Sequence, residues 1–393
     1  MFRKDFPIFK KTDMVYLDTA ASAQKPAAVL RAMDSFYKTT YSNVHRGQCA
    51  WANGATKAYE EARQTVADFI HAAVSDIVFT RGATEAVNLV ASSMAQTLKP
   101  GDEVLVSVAE HHANFVPWQQ ACLKSGATFK TVNVLPSGAL DRTDFTRQFS
   151  PRTKVVAITH LSNVLGVLND VAALTKQAHA AGAQVLIDVA QSIAHLPIDA
   201  PKIGCDFLVF SGHKLYGPTG VGVLYGTAAA LSRLQPYQFG GDMIRAVSIS
   251  ETIFADAPAK FEAGTPMIAE AIGLAAAIKY LTHIGWDKIQ KHEEELMRFA
   301  LGALKKIPEV RLLGTADKHS VISFTVPGIA PEDLGFVLGK KNMCVRVGHH
   351  CAMPLHAHFN CPASLRVSLG LYNDKKDIQK FITALKEGIR FFQ

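Results

Sequence analysis

Ser211-Gly212-His213-Lys214 places a hydroxyl, an imidazole and an amine where the apolar run Phe207-Leu208-Val209-Phe210 gives way to the loop Leu215 to Gly220. Burying an ammonium is costly, so most lysines stay on wet surface. A lysine at the mouth of a buried strand can instead be desolvated, lose its proton and form a Schiff base with a carbonyl compound. An ordinary surface lysine in a polar loop is the competing reading of these four residues.

Other apolar runs end in reactive groups too. After Phe79 comes Thr80-Arg81-Gly82-Ala83-Thr84-Glu85, a small-residue turn opening a helix. Its free N–H groups and the helix dipole suit an anion, and the Thr84 hydroxyl adds a donor; a plain N-cap is the alternative. Glu110-His111-His112-Ala113-Asn114 follows Val108, and its imidazole can stack on a flat ring or move protons, unless these are ordinary loop histidines. Asn163 supplies an amide after Thr159. Asp188 ends Val185-Leu186-Ile187, with Gln191 three residues on. A carboxylate there needs a cationic or hydrogen-bonded partner, and a protonated pyridine nitrogen would serve, as would a helix-capping role. A phosphate cradle, a stacking imidazole, a carboxylate and a lysine together describe an anionic, flat, nitrogen-containing aldehyde: pyridoxal 5′-phosphate.

A thiol stands near the other end of the chain, in Arg346-Val347-Gly348-His349-His350-Cys351-Ala352-Met353-Pro354. A free thiol is only a few per cent ionised at neutral pH, and neighbouring cations raise that fraction. Three readings stay open. Cys351 is a nucleophile; or His349, His350, Cys351, His356, His358 and Cys361 bind a metal; or Cys351 is an inert buried residue. No paired C-x2-C knuckle favours the metal. Arg366, among apolar neighbours in Leu365-Arg366-Val367, needs an anion, either a substrate carboxylate or a structural ion-pair partner.

The elements that must position these groups are legible as β-branched runs beginning at Ile77, Val104, Phe129, Val155, Val185, Phe207 and Val221, separated by Ala-rich helical stretches. This alternation predicts an α/β domain with a mostly parallel sheet covered on both faces. Long helices are expected over Met267 to Leu281 and Asp287 to Lys306, the second with Glu293, Glu294 and Glu295 on its wet side. An α+β tail follows, with strands at 320–326, 345–347 and 365–369 and helices over 331–339 and 374–391. The expected division is a large domain at 15–282, and a small domain formed by 1–14 with 283–393.

The 393 residues are 48% hydrophobic and 19% charged, the balance of a globular chain. Its net charge of +7 is spread without basic runs longer than a pair, which argues against nucleic-acid binding. No stretch of 18 or more apolar residues predicts a membrane span, and no leader is read at the N-terminus. Six cysteines in this length fit reduced thiols and a cytoplasmic location.

Taken together, the motifs resemble the class V aminotransferase family and, within it, the SufS-like (group II) cysteine desulfurases. The resemblance spans nearly the whole chain: Asn43-Val44-His45-Arg46-Gly47, Arg81 to Glu85, Glu110 to Asn114, Ser162 to Gly166, Ser211 to Pro218, Phe261 to Pro266 and Arg346 to Leu355. It implies a fold-type I homodimer that converts L-cysteine to L-alanine and a persulfide on Cys351. Catalytic roles then fall to Lys214, Cys351 and His111. Ala83, Thr84, Ser211 and His213 surround the phosphate, Asp188 pairs with the ring nitrogen, and Asn163 and Gln191 lie near the ring. Arg366 and Asn163 hold the substrate, with His45 and Arg46 at the site mouth. Thr265 and the Gly240-Gly241 loop reach the neighbouring subunit's site. The persulfide passes to an acceptor protein of SufE or SufU type for iron–sulfur cluster assembly. Selenocysteine lyase or cysteine sulfinate desulfinase activity is the nearest alternative; a metal-binding or sulfur-carrier scaffold is the alternative of a different class. The sequence departs from the family at Val347 and Val189, where smaller residues are common, and in having His356 and His358 so near the thiol. No resident metal is expected.

Overall fold

The computed structural model describes residues 2–393. Seven strands form the large sheet: β1 (Ile77–Thr80), β2 (Glu103–Ser107), β3 (Thr128–Val132), β4 (Thr153–Thr159), β5 (Gln184–Asp188), β6 (Phe207–Ser211) and β7 (Gly222–Gly226). Their order across the sheet is β1-β7-β6-β5-β4-β2-β3. Only β7 runs against its neighbours, pairing antiparallel with β1 and β6. The expectation of a mostly parallel seven-stranded α/β sheet is met.

Side chains alternate across a strand, so a continuous apolar run feeds two cores at once. Val185 and Ile187 of β5, with Leu208 and Phe210 of β6, enter one core. Leu186, Phe207 and Val209 enter the other. Helices α1 (Ala27–Thr39), α2 (Ala50–Phe69), α3 (Ala83–Met94), α4 (Val116–Ser125), α5 (Val171–Ala180) and α6 (Ile268–Ile284) accompany this sheet. Helix α6 is apolar nearly all round and is largely buried, packing on α1 and α2, as such a pattern demands.

A second sheet carries the C-terminal part. Strands β8 (Arg311–Leu312), β9 (Val321–Thr325), β10 (Arg346–Gly348) and β11 (Ser364–Ser368) pair antiparallel in the order β8-β9-β11-β10. Helices α7 (Trp286–Leu304), α8 (Pro331–Lys340), α9 (Met353–His358) and α10 (Lys375–Phe392) lie with it. Val15 and Leu17, near the N-terminus, pack into this sheet's core, and Val15 pairs with Met343.

One expectation fails. Glu293 is not on the wet side of α7: it is buried, and its carboxylate bonds His195 Nδ1 at 2.8 Å. Glu294 and Glu295 are exposed. The helix turns Glu293 inward because a buried imidazole offers the partner that a buried carboxylate needs.

Candidate active site

Strand ends bring the reactive groups together. Lys214, Asp188, Ser211, His213, Ala83, Thr84, His111, Asn163, Gln191, Arg366 and Cys351 all line one cavity of about 220 Å³. Arg346, not singled out in the sequence as a site residue, and His350, named there only as a candidate metal ligand, line it too.

The cavity floor comes from β5 and β6. Asp188 is 5% exposed, and its Oδ1 accepts the Ala190 N–H at 2.8 Å. Burial raises its pKa, and the nearby Lys214 ammonium opposes that rise. Lys214 sits in the short turn after β6. Burial pulls its pKa down, while Asp188 pulls it back up. The net direction is downward, toward the neutral form that nucleophilic chemistry requires.

One wall is the turn into α3. Ser211 Oγ accepts the Ala83 N–H at 2.8 Å, fixing this helix start against β6. A Cβ on Gly222 would lie 2.4 Å from Gly82 Cα, so β7 can approach the turn this closely only as glycine. His111 caps the next short helix: its Nδ1 accepts the Ala113 N–H at 3.0 Å, leaving the proton on Nε2. Burial, helped by Lys214, lowers its pKa to about 3, so the ring is neutral. Glu110 beneath it is fully buried and accepts from Ser107 Oγ at 2.6 Å, Asn114 Nδ2 at 2.7 Å and Thr159 N–H at 2.9 Å. That network anchors the histidine loop to β2 and β4. Sequence alone flagged Glu110 only as part of a motif.

The opposite wall comes from the second sheet. Arg366 is 2% exposed and already engaged: Nη2 bonds Asp18 at 2.9 Å and Nη1 donates to the Asn163 carbonyl at 3.0 Å. The ion-pair reading is therefore realised. Yet the residue still lines the cavity, so an incoming carboxylate meets a guanidinium that is already held in place. Asp18 also pairs with Arg346. This acidic link was invisible in sequence because Asp18 lies hundreds of positions from both arginines.

Cys351 is exposed and free. His350 and Cys351 have φ of 50° and 56°, two consecutive non-glycine residues in the left-handed region. Each costs on the order of 1–2 kcal/mol, so the surrounding structure must hold the turn. Asn163 Nδ2 donates to the His350 carbonyl at 2.7 Å, and the His112 N–H donates to the Cys351 carbonyl at 2.7 Å. Residues of the large-sheet side thus grip the thiol loop from across the cavity.

Three expected site residues lie elsewhere. Thr265 lines a separate cavity with Arg81, Glu85 and Tyr237. His45 bonds Glu60 at 2.9 Å, and Arg46 pairs with Asp242 at 3.0 Å; neither lines the Lys214 cavity of its own chain. The six-residue His/Cys set does not converge either: no cluster of three metal-holding side chains occurs among the described residues. His350 and His356 instead meet at Ser364.

The groups present fit pyridoxal 5′-phosphate. A desolvated lysine, a buried carboxylate with one oxygen engaged, a neutral imidazole and a helix start drawn tight by Gly222 match its aldehyde, ring nitrogen, ring face and phosphate. A family model described as aminotransferase class-V matches residues 15–381. The chain belongs to the class-V aminotransferase family. Among curated members, the cysteine desulfurase of Dickeya dadantii is 45% identical over 98% of this chain and 95% of its own length. Among solved structures, the cysteine desulfurase CsdA of Escherichia coli superposes with a TM-score of 0.93 at 38% identity, covering 99% of this chain and 98% of that one. The apo cysteine desulfurase of Thermococcus onnurineus NA1 gives 0.95 at 37%, covering 99% and 97%. No helix among the described residues is long and apolar enough to cross a membrane.

Proposed function

We propose that this class-V enzyme is a pyridoxal phosphate-dependent cysteine desulfurase of the SufS-like group, with Lys214, Cys351 and His111 as catalytic residues. One observation carries the reading: a desolvated lysine and an exposed thiol, from two different sheets, line one cavity.

Ala83, Thr84, Ser211 and His213 would hold the cofactor's phosphate, Asp188 its ring nitrogen, and His111, Asn163 and Gln191 its ring and periphery. When bound, the cofactor withdraws electrons from the substrate Cα and so weakens the Cβ–sulfur bond. Lys214 takes and returns the Cα proton. Arg366, with Asn163, holds the substrate carboxylate, which orients Cβ toward the thiol loop. The Cys351 thiolate attacks the substrate sulfur. An S–S bond forms as Cβ–S breaks, and the bonding electron pair stays on the carbon fragment, which takes up a proton and leaves as L-alanine. No outside oxidant is needed.

The short loop around Cys351, tied down by Asn163 and His112, favours an acceptor protein that comes to the thiol, of SufE or SufU type, feeding iron–sulfur cluster assembly in the cytoplasm. We read residues 15–282 as the large domain, and 1–14 with 283–393 as the small one. In the homodimer, Thr265, Gly240-Gly241, His45 and Arg46 would serve the neighbouring subunit's site.

The test is to load the enzyme with pyridoxal phosphate and L-cysteine, quantify alanine, and locate the added sulfur by mass spectrometry. The expected result is stoichiometric alanine with one extra sulfur on Cys351. Cys351→Ala should still bind cysteine but release alanine about a hundredfold or more slowly. Full-rate desulfuration by Cys351→Ala would remove Cys351 from the mechanism.

A further inference from the structure

The turn that carries Asn163 is held from outside by a lysine that none of the roles above uses. Residues 162–167 spend their N–H groups on themselves. Ser162 N–H donates to the Val167 carbonyl and Gly166 N–H to the Ser162 carbonyl, both at 3.0 Å. The N–H groups of Val164 and Leu165 donate to Ser162 Oγ at 3.3 and 3.1 Å. The carbonyls are left for outside partners, and buried carbonyls must find them.

The C-terminal part supplies a donor to each of four successive carbonyls. Arg366 Nη1 donates to Asn163 at 3.0 Å, Ser323 Oγ to Val164 at 2.6 Å, Lys318 Nζ to Leu165 at 2.9 Å, and the His319 N–H to Gly166 at 2.7 Å. Lys318 is 9% exposed, and its amine also donates to the Leu313 carbonyl at 2.6 Å, so it ties the turn to the end of β8. The approach is close. Gly166 has φ of 66°, and a Cβ there would lie 2.3 Å from the Val321 carbonyl oxygen.

The turn is linked in two ways to the thiol. Asn163 Nδ2 donates to the His350 carbonyl at 2.7 Å. Val164 and Leu165 share a buried apolar cluster with Leu313 and with Ala352 and Leu355, which follow Cys351. His350 and Cys351 are left-handed and need such restraint. We propose that Lys318 is a positioning residue for sulfur transfer: it pins the 163–166 turn to the second sheet, and the turn holds Cys351 in place at the cavity. This rests on the desulfurase reading and deepens it. Lys318 does not line the Lys214 cavity, so it acts only through the turn.

The experiment uses the cofactor-loaded enzyme and the variant Lys318→Met, which keeps an unbranched stem and loses the donors. Steady-state alanine formation is measured per bound cofactor, and hydrogen exchange is followed by mass spectrometry over residues 349–356. The kcat should fall about tenfold, the worth of one hydrogen bond, with KM for L-cysteine nearly unchanged because Arg366 keeps Asp18. Exchange in the thiol loop should speed up by about the same factor, while β5 and β6 exchange as in the wild type. Lys318→Arg restores N–H donors and should recover most of both effects. Unchanged kcat and exchange in folded Lys318→Met overturn the proposal. So does a loss that Lys318→Arg fails to recover, or a loss confined to cofactor content. Should Lys318→Met not load cofactor, Ser323→Ala removes only the donor to Val164 and should move both readouts the same way by about threefold; no movement overturns the proposal. A wild type that forms no alanine overturns the desulfurase reading alone, and exchange in the thiol loop then still decides the role of Lys318.

Discussion

The two walls of the cavity are built in opposite ways. On the large-sheet side, Asp188 and Ser211 end buried parallel strands, and Lys214 follows within three residues; two cores clamp those strands. Position there is inherited from the sheet. On the other side, Cys351 is exposed on a turn whose backbone is left-handed at two successive non-glycine residues, and it is held by bonds from Asn163 and His112. Position there is imposed from outside. A cofactor that stays through many cycles suits the first arrangement. A thiol that, in the proposed function, meets substrate in the cavity and passes sulfur to a partner suits the second, where exposure matters as much as placement.

The sharpest way to break this contrast is to remove one reactive group from the rigid wall. Lys214→Ala should abolish the visible absorbance of the lysine–cofactor adduct and lower alanine formation by roughly 10³-fold or more, since it deletes both the anchor and the proton carrier. The Cys351 thiol should meanwhile alkylate as fast as in the wild type, because the loop is braced by Asn163 and His112 and not by Lys214. Slow alkylation in Lys214→Ala, followed by iodoacetamide labelling, would show that the two walls are not independent.

The same contrast explains what the sequence made legible. Strand-borne groups announce themselves: an apolar run of four or five residues that stops at Asp188 or Ser211 names both the strand and its end. Helix α7 shows the limit. Its glutamates read as one wet face, yet Glu293 turns in to meet His195, a partner 98 residues away that no local pattern reveals. Asp18 with Arg366, 348 residues apart, is a second case. The His356–Ser364–His350 chain is a third, since histidines near a cysteine suggest a metal until their distances show a serine between them. Thr265, His45 and Arg46 lie away from their own chain's cavity, and a dimer is what would bring them to a site.

A smaller effect sharpens the comparison at the substrate. Arg366 reaches across from the second sheet with two nitrogens engaged. Arg366→Lys keeps a charge but loses the planar fork, and with it the simultaneous hold on Asp18, Asn163 and a carboxylate. KM for L-cysteine should rise by about ten- to a hundredfold, as expected for the loss of one or two charge-assisted hydrogen bonds. The cofactor absorbance should not change. A fall in kcat with KM unaltered, in steady-state assays, would instead assign Arg366 to the loop's geometry.

The smallest predicted effect concerns stability, and it treats the two walls alike. His111 and His213 on one side have pKa values lowered by burial to about 3 and about 4, and His350 on the other to about 2. Each is neutral when folded and takes a proton near its ordinary value of 6.5 when unfolded. Above that pH both states are neutral at these sites and the stability is intact. As pH falls below about 6.5, the unfolded chain binds protons that the folded chain refuses, so stability drops progressively toward the folded-state values. Urea unfolding at pH 7, 6 and 5 should show this decline. His111→Phe keeps a flat ring but removes one such site. It should lower stability at pH 7 by about 1 kcal/mol, through the lost Ala113 bond, yet make the decline shallower by up to one proton. A slope identical to the wild type would mean that His111 titrates normally in the folded chain. The neutral ring assigned to that face of the cavity would then have to be abandoned.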